Sequence, residues 1–106
     1  MKPIILRMAL DDLQRGYEFY ERRESSFGQY FEDSIFLDIA TLERYAGIHR
    51  KTYGYYRMLA RRFPYAIYYR LEGEVARIRA VLDCRQDPKW IKNRLQQRQQ
   101  ISGGNA

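Results

Sequence analysis

The side chains best suited to chemistry in this sequence are arginines in its second half, which would act on negative charge. Apolar and basic residues alternate over residues 75–82, so Arg77 and Arg79 share one face of a predicted strand. Arg57, Arg61 and Arg85 could join them in a surface for nucleic acid or an acidic protein. The alternative is a solvated strand face whose arginine stems cover nearby aromatic rings.

The only histidine and the only cysteine could act as a base and a nucleophile. His49 lies in a predicted loop, and its ordinary titration range suits a general base. Cys84 follows a predicted strand and could react as a thiolate. Neither has a recognisable partner, so a solvated loop histidine and a passive thiol are favoured. Metal-ligand spacings and glycine-rich phosphate loops are absent from the sequence, which predicts no metal and no small-molecule cofactor.

Ten tyrosines offer rings on which the bases of single-stranded nucleic acid could stack. Most of them lie in predicted regular elements, where packing in the core or at its margin is favoured. Tyr53, Tyr55 and Tyr56 are less determined, because Gly54 between them is consistent with a loop or a bulge.

The charge is distributed unevenly along the 106 residues, which carry a net charge of +6. Residues 1–44 contain six basic and nine acidic side chains, whereas residues 45–106 contain thirteen basic and four acidic ones. This asymmetry favours an acidic partner for the second half, although a solvated surface could have the same composition. With 45% apolar residues, no membrane-span or signal-peptide pattern and one cysteine, we expect a folded, cytoplasmic protein without membrane contact.

The elements that must position these side chains follow from the apolar periodicity. The first residues predict a strand, and two stretches with helical spacing predict a helical hairpin. Asp11 and Asp12 would stand at the N-terminus of the first helix, where acidic residues are favoured. Ser25 or Ser26 would cap the second helix.

The second half predicts three strands followed by a short helix. The strands include a run rich in strand-favouring residues over 63–69 and a return strand over 75–82, joined by a turn. On the return strand, Ala76, Ile78, Ala80 and Leu82 would share the face that packs on the helices. The expected fold is α+β, with the order β-α-α-β-β-β: a helix hairpin packed on a small, mainly antiparallel sheet. We expect one domain over residues 1–95, including a possible C-terminal helix, and a flexible tail over 96–106.

Two segments of the second half resemble a known family. Residues 61–70 read RRFPYAIYYR, which resembles the R-F-P-Y-x-I-x-Y strand of ParE-like toxins. Residues 80–88 read AVLDCRQDP, which is similar to their A-V-x-H-x-x-R-x-P-like strand end. Over roughly residues 3–95 the chain resembles the RelE/ParE superfamily of type II toxin–antitoxin and plasmid stabilisation systems, in its ParE-like branch.

The resemblance implies a toxin that a cognate antitoxin neutralises by wrapping around it. In this superfamily, RelE-like members cleave messenger RNA on the ribosome, whereas ParE-like members inhibit DNA gyrase and are not nucleases. Both targets remain open for this chain, as does a member of the fold that has lost toxicity.

RNA cleavage without a metal requires removal of the 2′-hydroxyl proton and stabilisation of the charge that develops on the phosphate. In the RelE-like members of the family that this chain resembles, the site is a cluster of lysines and arginines with a terminal tyrosine. Arg85 stands at the family's strand-end arginine, but Tyr65 stands at a second arginine position, and Trp90 and Ile91 lie near the place of the tyrosine. This incomplete cluster favours a gyrase inhibitor over an enzyme. The candidate target-facing residues are Arg57, Arg61, Tyr65, Arg77, Arg79 and Arg85.

Overall fold

The computed structural model describes residues 1–99, and its main elements follow the predicted order with two short additions, α3 and β2, and with the C-terminal helix present. In chain order they are β1 (Lys2–Ile5), α1 (Arg7–Arg23), α2 (Phe27–Ala40), α3 (Leu42–Tyr45), β2 (Lys51–Thr52), β3 (Tyr55–Leu59), β4 (Tyr65–Glu72), β5 (Val75–Asp83) and α4 (Pro88–Gln99). The predicted α+β class, with a helix hairpin on a small and mainly antiparallel sheet, is confirmed. None of the helices in this part of the chain has the length and apolar character needed to cross a membrane.

The five strands form one sheet in the order β1-β5-β4-β3-β2. Neighbouring strands are antiparallel except β1, which pairs parallel to β5 and ends with Ile5 opposite Ile78. Beyond Ile78, no strand among residues 1–99 pairs with the outer edge of β5. Side chains from α1 and α4 bind to this edge instead, through hydrogen bonds to the backbone of Val81 and Arg79.

The α1–α2 hairpin packs on one face of the sheet and forms the larger core. Its buried positions on α1 follow helical spacing, and they meet Phe31 and Ile35 of α2, which are fully buried. The prediction that Asp12 stands at the helix N-terminus is wrong. The helix begins at Arg7, and Asp12 lies inside it on the buried stripe.

The link between α1 and α2 is capped by a glutamate and not by a serine. Ser26 precedes α2 with a left-handed φ of 74°, and its side chain makes no capping hydrogen bond. The Glu21 carboxylate instead accepts hydrogen bonds from the amides of Ser26 and Gly28, at 3.0 and 2.9 Å. A side chain at Gly28 would lie 2.6 Å from the carbonyl oxygen of Tyr17, so the hairpin requires glycine there.

Helix α4 covers the opposite face of the sheet, which gives three layers. It packs over a second cluster that includes Tyr55, Tyr68 and Leu95, and β4 is therefore buried on both faces. The helix ends four residues later than predicted, at Gln99, because Arg98 in its last turn is anchored in the interior. The rest of the predicted tail, 100–106, lies outside the described residues.

A β-bulge in β5 changes the face on which its side chains lie. Tyr69 pairs with Ile78 and Tyr68 pairs with Ala80, so Arg79 is an extra residue on this strand. Ile78 therefore faces the hairpin, whereas Ala80 and the following Leu82 face α4. The prediction that residues 76–82 keep one face by strict alternation is wrong because the bulge shifts the phase by one residue.

Tyr53 and Gly54 form the tight turn between β2 and β3, with φ values of 53° and 84°. Two positive φ angles in succession match the turn that the twist of a two-residue hairpin favours. Tyr55 follows directly and is fully buried, and its hydroxyl donates to the carbonyl oxygen of Leu95 at 2.9 Å. Core packing is thus the role of Tyr55, which the sequence left undetermined.

Candidate functional site

The last strand of the sheet ends in an ion pair that lies against helix α1. The Asp83 carboxylate accepts hydrogen bonds from the amide, the Nε and the Nη2 of Arg85, at 2.8, 3.0 and 2.8 Å. The same guanidinium donates to the Tyr20 hydroxyl at 3.4 Å and lies 5.9 Å from the ring centre of Phe19. Since 55% of the Arg85 side chain is exposed, the pair presents a guanidinium in a fixed orientation to solvent.

Burial is the main influence on the pKa values of Tyr20 and Tyr65, which lie near Arg85. It raises the pKa of Tyr20, although the positive charge of Arg85 opposes this shift. It also raises the pKa of Tyr65, to which the negative charge of Asp83 contributes. Burial opposes ionisation of Asp83 as well, but hydrogen bonds from Arg85 outweigh it and hold the pKa of Asp83 below its ordinary value. Near neutral pH both tyrosines are neutral and Asp83 is a paired carboxylate, which makes each a poor general base.

A pocket of about 310 Å³ lies beside this pair, between α1, the end of β5 and α4. The aromatic residues Phe19 and Trp90 line it, and so does Gln86. Arg15 and Arg94 bring positive charge from the two helices. The pocket therefore combines aromatic surface with two guanidinium groups.

Asp12 also lines the pocket, and its carboxylate joins three elements. Its Oδ2 accepts from the Val81 amide at 2.9 Å and from Nη1 of Arg98 at 2.6 Å. Its Oδ1 accepts from Nη2 of Arg98 at 2.7 Å and from Arg15 at 2.6 Å. Nη1 of Arg98 also donates to the carbonyl oxygen of Arg79 at 3.0 Å. A single buried carboxylate thus holds α1, the free edge of β5 and α4 together.

Arg94 brings a further positive charge to the pocket. Its guanidinium stacks over the Trp90 ring, 4.6 Å from the ring centre, and it forms no ion pair within residues 1–99. Burial lowers the pKa of Arg94, and the positive charges of Arg98 and Arg15 lower it further, against a smaller opposing influence of Asp12. Arg15 and Arg98 contact the Asp12 carboxylate and Arg94 adds a third positive charge, which leaves excess positive charge at the pocket.

The arginines singled out in the sequence do not form one surface. Arg57 lies on the α4 face, where it donates to the Tyr68 hydroxyl at 3.3 Å and to the Cys84 sulfur at 3.5 Å. Arg79 was expected on an open face, but only 5% of it is exposed because α4 covers it. Arg77 is partly exposed and pairs with a glutamate of β4 at 2.9 Å.

Tyr65 and Arg61 occupy contrasting positions near the start of β4. Tyr65 is 7% exposed and packs in the hairpin core, 4.8 Å from the ring centre of Phe31, and it also lines the pocket. Arg61 is exposed, and its amide is fixed by the carboxylate of Asp38 at 3.1 Å. The structure brings Tyr65 and Arg85 together around Tyr20, and it places Arg57 on the opposite face of the sheet.

His49 and Cys84 do not form a catalytic pair. Nδ1 of His49 lies 2.5 Å from the hydroxyl of Tyr69, and burial lowers the pKa of this histidine. Cys84 is half-buried and accepts a hydrogen bond from Arg57 instead. In residues 1–99, no group of three His, Cys, Asp or Glu side chains is arranged to hold a metal ion.

The sequence analysis did not identify Arg15 and Arg94, which line the pocket, or the pair of Asp12 with Arg98 beside it. One signal was present in α1, where Ala9, Leu13 and Gly16 mark the buried stripe and Asp12 falls within it. An acid on an apolar face requires a buried partner. The sequence offers no local sign that this partner is Arg98, because the contact spans 86 residues.

Comparison with solved structures identifies the architecture. The structure is similar to a chain of the chromosomal ParDE TA system from P. aeruginosa, with a TM-score of 0.70 and 21% sequence identity. The similarity covers 76% of this chain and 92% of that chain. The chain has the RelE/ParE fold. No family model matches the sequence, and no curated protein matches it.

The two segments that carried the resemblance have defined places in this RelE/ParE fold. Residues 61–70 form most of β4 and the turn before it, and residues 80–88 run from the middle of β5 to the first residue of α4. Their motif residues Tyr65 and Arg85 both contact Tyr20 of α1. The resemblance is therefore confirmed for the fold, and its two motifs meet in space.

Proposed function

We propose that this chain is the toxin of a type II toxin–antitoxin pair, that a cognate antitoxin holds it inactive, and that it arrests growth by inhibiting DNA gyrase. The observation that carries the proposal is the structural similarity to a chain of a ParDE TA system, which extends over 92% of that chain. The ParE-like motifs of β4 and of the end of β5 support the same class. On this proposal the protein acts in the cytoplasm.

The arrangement of charged side chains favours binding over RNA cleavage. Cleavage without a metal needs a base and several cations directed at one phosphate group. Arg57 and Arg85 lie on opposite faces of the sheet, and Tyr65 is buried where a further cation would be required. The carboxylate beside Arg85, that of Asp83, already accepts three hydrogen bonds from this arginine. These features support an inhibitor that acts by association.

Within this proposal, Arg61 and Arg85 are the candidate residues best placed to meet the target, because both are exposed. Arg57 and Arg77 are partly exposed and would contribute at the margin of such a contact. Tyr65 and Arg79 would act only from the interior, by supporting the strands that carry the exposed arginines.

A ribosome-dependent messenger RNA endoribonuclease is the second candidate. It is favoured by the Arg85 guanidinium and the Tyr20 hydroxyl, which lie 3.4 Å apart at the strand end where RelE-like sites carry an arginine. Arg85 would stabilise charge on the phosphate, and Tyr20 would donate a hydrogen bond to it. A member of the fold that has lost toxicity is the third candidate.

Inducible expression in a bacterial host without an antitoxin separates these candidates. Growth arrest is expected, and its absence would contradict both toxic candidates in that host. Mapping of messenger RNA ends after induction then separates the first two, since cleavage linked to codon position contradicts a gyrase inhibitor. A supercoiling assay with purified gyrase tests the target directly: the purified chain should inhibit it, and an unaffected enzyme would count against the proposal.

A further inference from the structure

We propose that the pocket between α1, the end of β5 and α4 binds a carboxylate side chain of a partner polypeptide through Arg15 and Arg94. The partner would be the antitoxin, so this identification rests on the proposed function. The pocket itself rests only on its geometry and charge. It lies beside the Asp83–Arg85 pair, and of the candidate residues named from the sequence only Tyr65 lines it.

The charges around the pocket are not balanced by this chain. Arg15 and Arg98 share the carboxylate of Asp12, while Arg94 forms no ion pair within residues 1–99. The only other carboxylate lining the pocket, that of Asp83, is bound by Arg85. A partly buried cation beside two others gains more from an added anion than a solvated one does. The electrostatic free energy of the pocket therefore favours an incoming negative group.

The pocket is large enough to admit a side chain of a partner. Its volume is about 310 Å³, and its lining includes Arg15 of α1 and Arg94 of α4. The Arg94 guanidinium lies over the Trp90 ring, so the N–H groups at its edge are directed sideways. A planar guanidinium in this position can bind both oxygens of a carboxylate. Gln86, which also lines the pocket, adds a further hydrogen-bond donor.

The aromatic walls argue for a carboxylate rather than a nucleotide. A base would need a free ring face on which to stack. Arg94 covers one face of the Trp90 ring, and Arg23 covers one face of the Phe19 ring at 4.1 Å from its centre. A guanidinium thus already occupies one of the two faces of each ring on which a base could stack. What remains is an apolar rim around positive charge, which fits an acidic side chain flanked by apolar residues.

Trp90 is the only tryptophan of the chain, so its fluorescence reports on this pocket directly. The full-length protein should be titrated at low salt with three probes: the peptide acetyl-hexaglutamate-amide, its hexaglutamine counterpart and a single-stranded hexathymidylate. We expect a saturable change in Trp90 emission with the glutamate peptide and none with the glutamine peptide. No saturable change with the glutamate peptide, or tighter binding of the oligonucleotide, would overturn the proposal.

Matched variants distinguish the pocket from the general positive charge of the chain. Arg94→Gln should weaken binding of the glutamate peptide about tenfold, the loss expected for one charge-assisted hydrogen-bonded contact. Arg44→Gln removes the same charge from an exposed position on α3 and should change the affinity less than about twofold, as expected for a screened charge. Equal losses in the two variants would overturn the proposal. Circular dichroism of each variant verifies that the fold is kept.

This experiment separates the pocket from the proposed function. Peptide binding that Arg94→Gln weakens supports the pocket even if expression of the chain fails to arrest growth. Growth arrest together with absent peptide binding overturns the pocket and leaves the proposed toxin function intact.

Discussion

The guanidinium of Arg98 lies 2.6 and 2.7 Å from the two carboxylate oxygens of Asp12, although 86 residues separate the pair in the sequence. Only 5% and 2% of the two side chains are exposed. The amide of Val81 donates to the same carboxylate at the edge of β5 that β1 does not cover. The pair therefore provides hydrogen-bond partners for backbone groups at a strand edge inside the protein. It also fixes α4 across the sheet.

Removal of the buried arginine should strongly destabilise the fold. We expect Arg98→Met to lower the free energy of unfolding by about 3 kcal/mol, because the Asp12 carboxylate stays buried without its main partner. This expected loss is at the low end of the range for breaking a buried ion pair, because Arg15 still contacts Asp12. Urea denaturation followed by circular dichroism measures this loss.

Arg77→Met is the control: its pair with Glu72 is partly exposed, so the loss should stay below about 1 kcal/mol. A loss in Arg98→Met no larger than in this control would contradict the role of the buried pair.

Gly16 allows α1 and α2 to approach closely. A Cβ atom at this position would lie 2.5 Å from Cε2 of Phe31, whose side chain is fully buried. We expect Gly16→Ala to lower the free energy of unfolding by about 1–3 kcal/mol through overpacking, although alanine favours the helix by itself. Gln14→Ala on the exposed side of α1 should change it by less than about 0.5 kcal/mol.

A second substitution tests whether the Phe31 ring causes this loss. In Gly16→Ala combined with Phe31→Leu, the two effects should not add, because the smaller side chain relieves the contact. Additive losses measured in the same denaturation experiment would show that the steric explanation is wrong.

The local pattern of the sequence was sufficient for the strands β4 and β5 and for the helix hairpin. The strand predicted over residues 63–69 is present with shifted bounds, as Tyr65–Glu72, and the predicted turn is present at Gly73. The bulge at Arg79 could not be predicted in this way. It is one extra residue whose place depends on where β1 ends and on how Asp12 meets Val81. Such contacts join distant parts of the chain and leave no periodic signal.

Contacts between distant residues also account for the pocket and for the end of α4. The final turn of this helix is anchored by Arg98, a basic residue in a glutamine-rich segment that resembles a solvated tail. Apolar periodicity does not register an anchor of this type. Arg94 likewise became a candidate only when its position beside Trp90 was known. The Asp83–Arg85 strand end, by contrast, was found because it lies within a family motif.

His49 should make the stability depend on pH. Burial lowers its pKa in the folded chain below the ordinary value of about 6.5, so the unfolded chain binds the proton more readily. This contribution to stability is present above the unfolded pKa and is lost as pH falls from that value through the lower folded pKa. Urea midpoints at pH 7.5 and 5.5 should therefore differ more in the parent chain than in His49→Gln. An identical pH dependence in the two proteins would show that His49 is not responsible.

The Arg85 guanidinium is expected to serve the target and not the fold. In Arg85→Ala the hydrogen bonds to Asp83 and Tyr20 are lost, but more than half of the arginine side chain is exposed, so the free energy of unfolding should fall by less than about 1 kcal/mol. If Arg85 contacts the target, about tenfold more protein should be needed for the same growth arrest, as for loss of a charge-assisted hydrogen bond.

Arg85→Lys keeps the charge without the planar fork, and its toxicity should be intermediate if orientation by Asp83 matters. Arg44→Ala, an exposed arginine on α3, provides the control at matched expression measured by immunoblot. Full arrest by Arg85→Ala at the parent's expression level would remove this residue from the target contact, whichever target the toxin binds.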